Sequence, residues 1–207
     1  MSSFGLFFTQ IPRLFWSEYS SRPFVHCIDC DVPLVESSAY VVQKRYVGKE
    51  AVFEMAMCDG CRERMTKEYS AETKENITRF MNEQFQNRAA ESLDDNETGI
   101  IEMREIEDPE DGAALLQDCV DRCVICSTER DKCHRYSVAG LCRASEIVVQ
   151  VSPISRTPLM VCEKCELGMA ELISKQTRDS WERFIDEHFD GPPGIEVDSP
   201  NSYPLAF

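Results

Sequence analysis

The sequence predicts an α+β fold made of two tandem modules, each running from a CxxC turn through a β-hairpin and a second CxxC into a long α-helix. Three observations predict this order. The cysteines include four CxxC pairs, the chain repeats itself internally, and the apolar residues change from alternating to helical spacing after the second pair of each module.

The internal repeat is clearest from the second cysteine pair onward. A shift of 104 residues aligns 58–85 with 162–189, and nine of these 28 positions are identical. Average residue usage would give about two matches by chance. Upstream, the two first CxxC pairs match at a shift of 96, and the apolar stretch 40–43 is matched to 147–150 at a shift of 107. The modules therefore share one order of elements.

Each module is expected to carry its strands as a hairpin. In the first module, 39–46 and 51–57 flank a turn at Gly48. In the second, 146–151 and 159–161 flank a longer turn that contains two prolines.

A long helix is expected after each second CxxC, because apolar residues recur there at helical spacing without proline. Residues that favour helix N-caps interrupt both runs, at Ser70 or Thr73 and at Ser174 or Thr177. The sequence leaves open whether each run is one helix or two.

Composition divides the chain into five parts. An apolar segment, 1–26, is expected to pack on module 1, which covers 27–87. An acidic linker, 88–118, leads to module 2 at 119–190, and the tail 191–207 is expected to be disordered.

The net charge of -15 lies mainly in the connectors. The segment 91–118 holds eleven acidic residues against the single base Arg104. A short strand is expected within the linker at 100–106, and the last residues, 203–207, are a frayed terminus or a docking peptide. This acidic field repels nucleic acid at long range.

The eleven cysteines indicate a reducing, cytoplasmic compartment rather than a disulfide scaffold. Their number is odd, and the first 20 residues lack both a basic region and a cleavable apolar region. The apolar stretch 4–16 is broken by polar residues and is shorter than the roughly 20 residues of a membrane span. Binding to a membrane surface through this stretch is the alternative to packing on module 1.

The paired cysteines predict two structural zinc ions. Two residues between cysteines let a tight turn aim both sulfurs at one ion about 2.3 Å away, and a tetrahedral site needs two such pairs. Each module supplies two. The predicted metal ligands are Cys27, Cys30, Cys58 and Cys61 in module 1, and Cys123, Cys126, Cys162 and Cys165 in module 2.

Other chemistry fits these cysteines less well. A redox CxxC of the thioredoxin type needs a βαβ setting and no second pair. Iron is an alternative metal, although iron–sulfur clusters usually place three of four cysteines close together. Four sulfur ligands leave no position for water or substrate, which a catalytic zinc requires.

Several further side chains could modify these sites. Module 2 carries an insertion of about eleven residues, which is interpreted as containing Cys133 and Cys142. Cys119 lies four residues before Cys123. These three could swap with ligands, bind a second metal or form an oxidisable pair, or they are ordinary thiols. His26 beside the first quartet and His188 are interpreted as bystanders.

The arrangement resembles the treble-clef group of zinc fingers, in which a CxxC turn and a hairpin precede a helix whose first turn supplies the second ligand pair. The matching residues are 27–30 with 58–61 and 123–126 with 162–165. The resemblance implies fold and metal, and no activity. Asp31 and Ser127 depart from it, since a glycine often follows the turn's second cysteine.

No catalytic constellation emerges, because the three histidines are far apart and no phosphate-binding glycine loop is present.

The favoured interpretation is a non-enzymatic adaptor for an unidentified protein partner, with the linker setting the separation of the modules. One alternative is a nucleic-acid or ribosome-associated protein. The basic residues for that role are Lys44, Arg45, Lys49, Arg62, Arg64 and Lys67. Another alternative is a thiol redox switch that releases zinc.

The oligomeric state stays open. Within one chain, the two repeats could pair as a pseudo-twofold unit through their helix faces. The side chains predicted at that contact are Phe80, Phe85, Phe184 and Phe189.

Overall fold

The computed structural model describes residues 7–93, 109–152 and 155–189. These ranges form a mixed fold of α-helices and an antiparallel sheet, as predicted. The strands are β1 (Phe7–Gln10), β2 (Tyr40–Val47), β3 (Glu50–Cys58), β4 (Arg135–Arg143), β5 (Glu146–Ser152), β6 (Ser155–Thr157) and β7 (Leu159–Cys162). The helices are α1 (Asp59–Glu68), α2 (Ala71–Leu93), α3 (Pro109–Asp121), α4 (Glu163–Ala170) and α5 (Lys175–His188).

One sheet joins the two modules. Its strand order is β1-β5-β4-β2-β3, with β6 on β5 and β7 on β4. Strand β2 of module 1 pairs with β4 of module 2 from Tyr40 opposite Cys142 to Val47 opposite Arg135. Both strands are largely buried, and pairing satisfies backbone groups that burial would otherwise leave unbonded. The expectation that the linker sets the separation of the modules is therefore wrong.

The β2–β4 pairing is pseudo-twofold. Gln43 lies opposite Ala139 at its centre, and these two residues correspond at the shift of 96. On either side, the Tyr46–Tyr136 pair is the counterpart of the Tyr40–Cys142 pair. Reciprocal contacts of this kind define an isologous interface. The repeats thus associate as two related halves through paired strands. Of the four phenylalanines predicted at the contact, Phe189 packs against Phe53 of module 1, with ring centroids 4.7 Å apart.

The strand pairing predicted for module 2 is wrong. Strand β7 pairs with β4, with Tyr136 opposite Cys162, just as Tyr40 lies opposite Cys58 in module 1. The predicted partner, β5, pairs instead with β1, β6 and the end of β4. The insertion therefore follows β4. The match at a shift of 107 compared short strings of strand-forming residues, which do not specify a partner, whereas the shift of 96 continues unbroken from the CxxC turn through β4.

The N-terminal segment contacts both modules, not module 1 alone. Phe7 of β1 lies opposite Val149 of β5. Further along, the carbonyl of Trp16 accepts a hydrogen bond of 2.6 Å from the ammonium of Lys44 on β2. Helix α3 packs close to β1, since a Cβ atom at Gly112 would lie 1.9 Å from the ring of Phe7. A side chain at position 112 would therefore have to displace the Phe7 ring.

The end of the acidic linker is structured. Helix α3 spans the boundary between the linker and module 2, and its residues Leu116, Cys119 and Val120 are buried. The end of the linker therefore packs into the core, because the apolar residues of α3 lie on one helix face. The predicted strand at 100–106, the tail 191–207 with its terminal 203–207, and the side chain of Phe85 lie outside what the structure describes. Among the described helices, none is long and apolar enough to cross a membrane.

Each predicted helical run is two helices, broken at Ser70 and Ser174. The Ser70 hydroxyl accepts a hydrogen bond from the Thr73 amide at 3.0 Å, and Ser174 does the same for Thr177 at 3.4 Å. The two caps also bond to each other. The Ser70 and Ser174 hydroxyls are 2.8 Å apart, and each serine amide donates to the threonine hydroxyl of the other module. Two helix starts thus form one hydroxyl cluster between the modules.

Replacing Thr73 with valine is expected to lower the free energy of unfolding by about 1–3 kcal/mol, because the change leaves the partly buried Ser174 amide without its acceptor. Thr73 is fully buried and also bonds to the Thr177 hydroxyl at 3.0 Å. Thr78→Val is the matched control, since Thr78 is exposed on the same helix and bonds only to the Lys74 carbonyl. Urea denaturation measures both. Equal losses would show that the cluster adds no stability.

Candidate metal centres

The first quartet comes together where three elements meet. Cys27 and Cys30 lie in the loop 25–35, called here the first knuckle loop. Cys58 ends β3, and Cys61 lies in the first turn of α1. The sulfurs of Cys27 and Cys61 are 3.6 Å apart, those of Cys30 and Cys58 3.7 Å, and those of Cys58 and Cys61 3.3 Å. All four lie within 4.8 Å of one another.

The second quartet repeats this geometry. Cys123 and Cys126 lie in the second knuckle loop, residues 121–131, while Cys162 ends β7 and Cys165 lies in the first turn of α4. The sulfurs of Cys126 and Cys162 are 3.6 Å apart, and again all four lie within 4.8 Å of one another. The structure thus brings together both predicted quartets.

These distances fit ion coordination. A zinc–sulfur bond of about 2.3 Å in a tetrahedron places two sulfurs about 3.8 Å apart, whereas a disulfide would place them about 2.05 Å apart. All eleven cysteines are free. The observed separations of 3.3 to 3.7 Å are therefore those of thiolates that could share a metal ion.

In both knuckle loops, a residue other than glycine occupies the position after the second cysteine, where treble-clef turns often have glycine. Asp31 and Ser127 adopt φ angles of +58° and +59°, in the left-handed region where glycine is usual. In each loop this residue donates its amide to the carbonyl of the first cysteine, Cys27 or Cys123, at 2.9 Å. Aspartate tolerates the left-handed region because its short polar side chain can bond locally. The turns therefore form without glycine.

Donors around each quartet stabilise thiolates. The amide of Cys58 donates to the sulfur of Cys27 at 3.3 Å, and the amide of Cys162 to the sulfur of Cys123 at 3.5 Å. Each quartet also has one cysteine in the first turn of a helix, where the helix dipole favours negative charge. Both features suit a negatively charged metal–thiolate centre.

The sulfurs are too crowded for all of them to ionise without a cation. A hydrogen bond from Cys165 lowers the pKa of Cys123 to about 4 and raises the pKa of Cys165 itself. Burial and the nearby charge of Cys123 raise the pKa of Cys162 to about 12. A divalent ion would supply the positive charge that lets all four bind as thiolates.

The surroundings of the two quartets differ. Arg64 donates to the sulfur of Cys61 and to the carboxylate of Asp29, at 2.9 Å each. His188, at the end of α5 in module 2, lies 3.5 Å from the other oxygen of Asp29. The residues of module 2 that correspond to Asp29 and Arg64 are Ile125 and Gly168. The first quartet therefore has a charged shell that reaches the second module, and no sequence signal linked His188 to it.

The additional candidate ligands lie outside both quartets. Cys119 and Cys142 are fully buried, and burial raises the pKa of Cys142 to about 12. Cys133 is partly buried, with its sulfur 3.3 Å from the Glu129 carbonyl. His26 is exposed beside Cys27. Among the described residues, the two quartets are the groups of three or more potential ligands close enough to hold an ion.

Two of the three cations of the predicted basic hairpin are largely buried against acidic partners. Lys44 is fully buried and bonds to Glu18 at 2.8 Å. The Arg45 side chain is largely buried, 3.9 Å from Glu166 of α4. Only Lys49 of these three hairpin cations is exposed.

We found no match to the chain among protein-family models, curated proteins or solved structures. What can be inferred about function therefore rests on the geometry of the two sulfur quartets.

Proposed function

We propose that this chain is a non-enzymatic zinc-binding adaptor of the reducing cytoplasm, in which two structural zinc ions hold treble-clef-like modules that bind a protein partner. The main support is that the four sulfurs of each quartet lie within 4.8 Å of one another. Four protein ligands complete the coordination of zinc and leave no position for water or substrate. The proposal is also supported by the order of elements in each module, where a knuckle loop, a pair of antiparallel strands and a helix follow one another, as in the treble-clef group.

The first knuckle loop offers a surface for a partner. Val25 and Val35 are 50% and 64% exposed at its two ends. The two ends of the loop are held together at the backbone, because the Leu34 amide donates to the Val25 carbonyl at 2.8 Å. The loop between them carries Cys27 and Cys30, so a bound ion would fix the shape of this apolar surface. Apolar groups that a protein keeps exposed together are typical of contact sites.

The experiment is elemental analysis of the purified chain followed by a pull-down from native cytosol with and without a chelator. We expect two zinc ions per chain and a partner that is lost on chelation. Val35→Asp is expected to reduce capture of that partner by at least about tenfold, because a charge would be desolvated at the contact. Val52→Asp is the control, since Val52 is similarly exposed, at 55%, on β3. Equal capture by both variants would exclude the knuckle surface.

Nucleic-acid or ribosome binding has less support, because Lys44 and Arg45 are buried and paired within the protein. Phosphate contacts would make affinity fall steeply with salt. Binding to RNA at low ionic strength that disappears at high ionic strength would favour this alternative over the adaptor.

A further inference from the structure

Cys133 is the additional thiol that solvent can reach. Cys119 and Cys142 are fully buried, whereas Cys133 is partly exposed. It lines an open cleft of about 1090 Å³ between the turn at Gly48 and the second knuckle loop. A small oxidant in this cleft can therefore meet the Cys133 sulfur.

Cys133 also lies beside the second quartet. Its sulfur is 3.3 Å from the carbonyl of Glu129, and the sulfur of Cys126 is 3.1 Å from the hydroxyl of the adjacent residue, Thr128. Both sulfurs therefore contact neighbouring residues of the same loop, 126–133. Cys126 is itself exposed. The two thiols are thus attached to one short, accessible loop.

The first quartet has no such neighbour. At the shift of 96 that relates the knuckle loops and the strands after them, Cys133 corresponds to Ser37. The two centres therefore share their ligand geometry, and this thiol is one of the differences between them, beside the charged shell of the first quartet. Adding or removing a cysteine at these two positions tests the effect of the thiol on oxidation without changing a metal ligand.

We propose that Cys133 makes the second centre responsive to hydrogen peroxide, by forming a disulfide with Cys126 that removes one ligand and releases the metal. The inference rests on the proposed zinc binding. Peroxide transfers one oxygen to the exposed Cys126 thiol, which gives a sulfenic acid and water. The Cys133 thiol then attacks that sulfur, an S–S bond forms and water leaves. Two sulfurs are oxidised by two electrons in total, and one peroxide is reduced.

The test uses the full chain loaded with zinc, a zinc-binding dye and increasing amounts of hydrogen peroxide. We expect one zinc ion to be released first, and mass spectrometry of the digested protein to find the Cys126–Cys133 disulfide. Cys133→Ser is expected to slow that release on the order of tenfold, because no second thiol remains to resolve the oxidised sulfur. Cys142→Ser should leave the release unchanged. Ser37→Cys should make the first centre release zinc as well.

Two results overturn the inference while zinc binding stands. One is a Cys133→Ser variant that holds two zinc ions and releases them at the rate of the unmodified chain. The other is a first disulfide formed within a quartet, without Cys133. A chain that purifies with no metal would overturn both the adaptor proposal and this inference.

Discussion

Replacing Cys61 with serine is expected to reduce the zinc content of the purified chain from two ions to one and to unfold the first knuckle loop together with the start of α1. Structural zinc contributes roughly 10 kcal/mol or more in small zinc modules. This equals much of the 5–15 kcal/mol that stabilises a typical domain. Because β2 and β4 share one sheet, the loss should also weaken module 2.

Elemental analysis and circular dichroism measure this effect. Cys119→Ala is the control, because Cys119 is buried, belongs to neither quartet and should leave the zinc content at two ions. A Cys61→Ser chain that retains two zinc ions, or a native chain that stays fully folded after all metal is removed, would contradict the structural role of the ion.

Replacing Trp181 with alanine is expected to lower the free energy of unfolding by about 3–5 kcal/mol. Trp181 of α5 is 2% exposed and packs edge-on against Phe184, with ring centroids 5.6 Å apart. Its indole donates to the hydroxyl of Tyr69, which follows α1, at 2.8 Å. The side chain therefore joins module 2 to module 1, and the modules should unfold in a single transition.

Two further variants separate packing from hydrogen bonding at this contact. Trp181→Phe keeps most of the apolar contact but removes the indole donor, so we expect a smaller loss of about 1–2 kcal/mol. A double-mutant cycle with Tyr69→Phe should then give the coupling of the pair. Leu167→Ala, at a side chain 46% exposed on α4, should change stability by less than about 0.5 kcal/mol. A loss for Trp181→Ala no larger than that of this surface variant would show that the modules are held together elsewhere.

The buried cations show how tertiary structure changes an interpretation based on sequence. Lys44 and Arg45 follow a typical strand pattern of alternating sides, and their charges suggested an exposed basic hairpin. In the structure, the N-terminal segment covers Lys44 with Trp16 and Glu18, and α4 covers Arg45 with Glu166. These partners are between 26 and 121 residues away in the chain. A local pattern therefore shows that a charge is present, but not which segment will cover it.

The sequence by itself determined which cysteines form each quartet, that a helix follows each second CxxC, and which serine and threonine residues could interrupt it. These features depend on spacing over a few residues, because turn geometry and helix capping are local. The tertiary structure alone decided that β4 rather than β5 pairs with β7, that β2 and β4 merge the modules into one sheet, and that α3 packs into the core. Strand partners lie far apart in the chain, and several strand-forming segments could satisfy the same backbone groups, so the packing of the whole molecule selects among them.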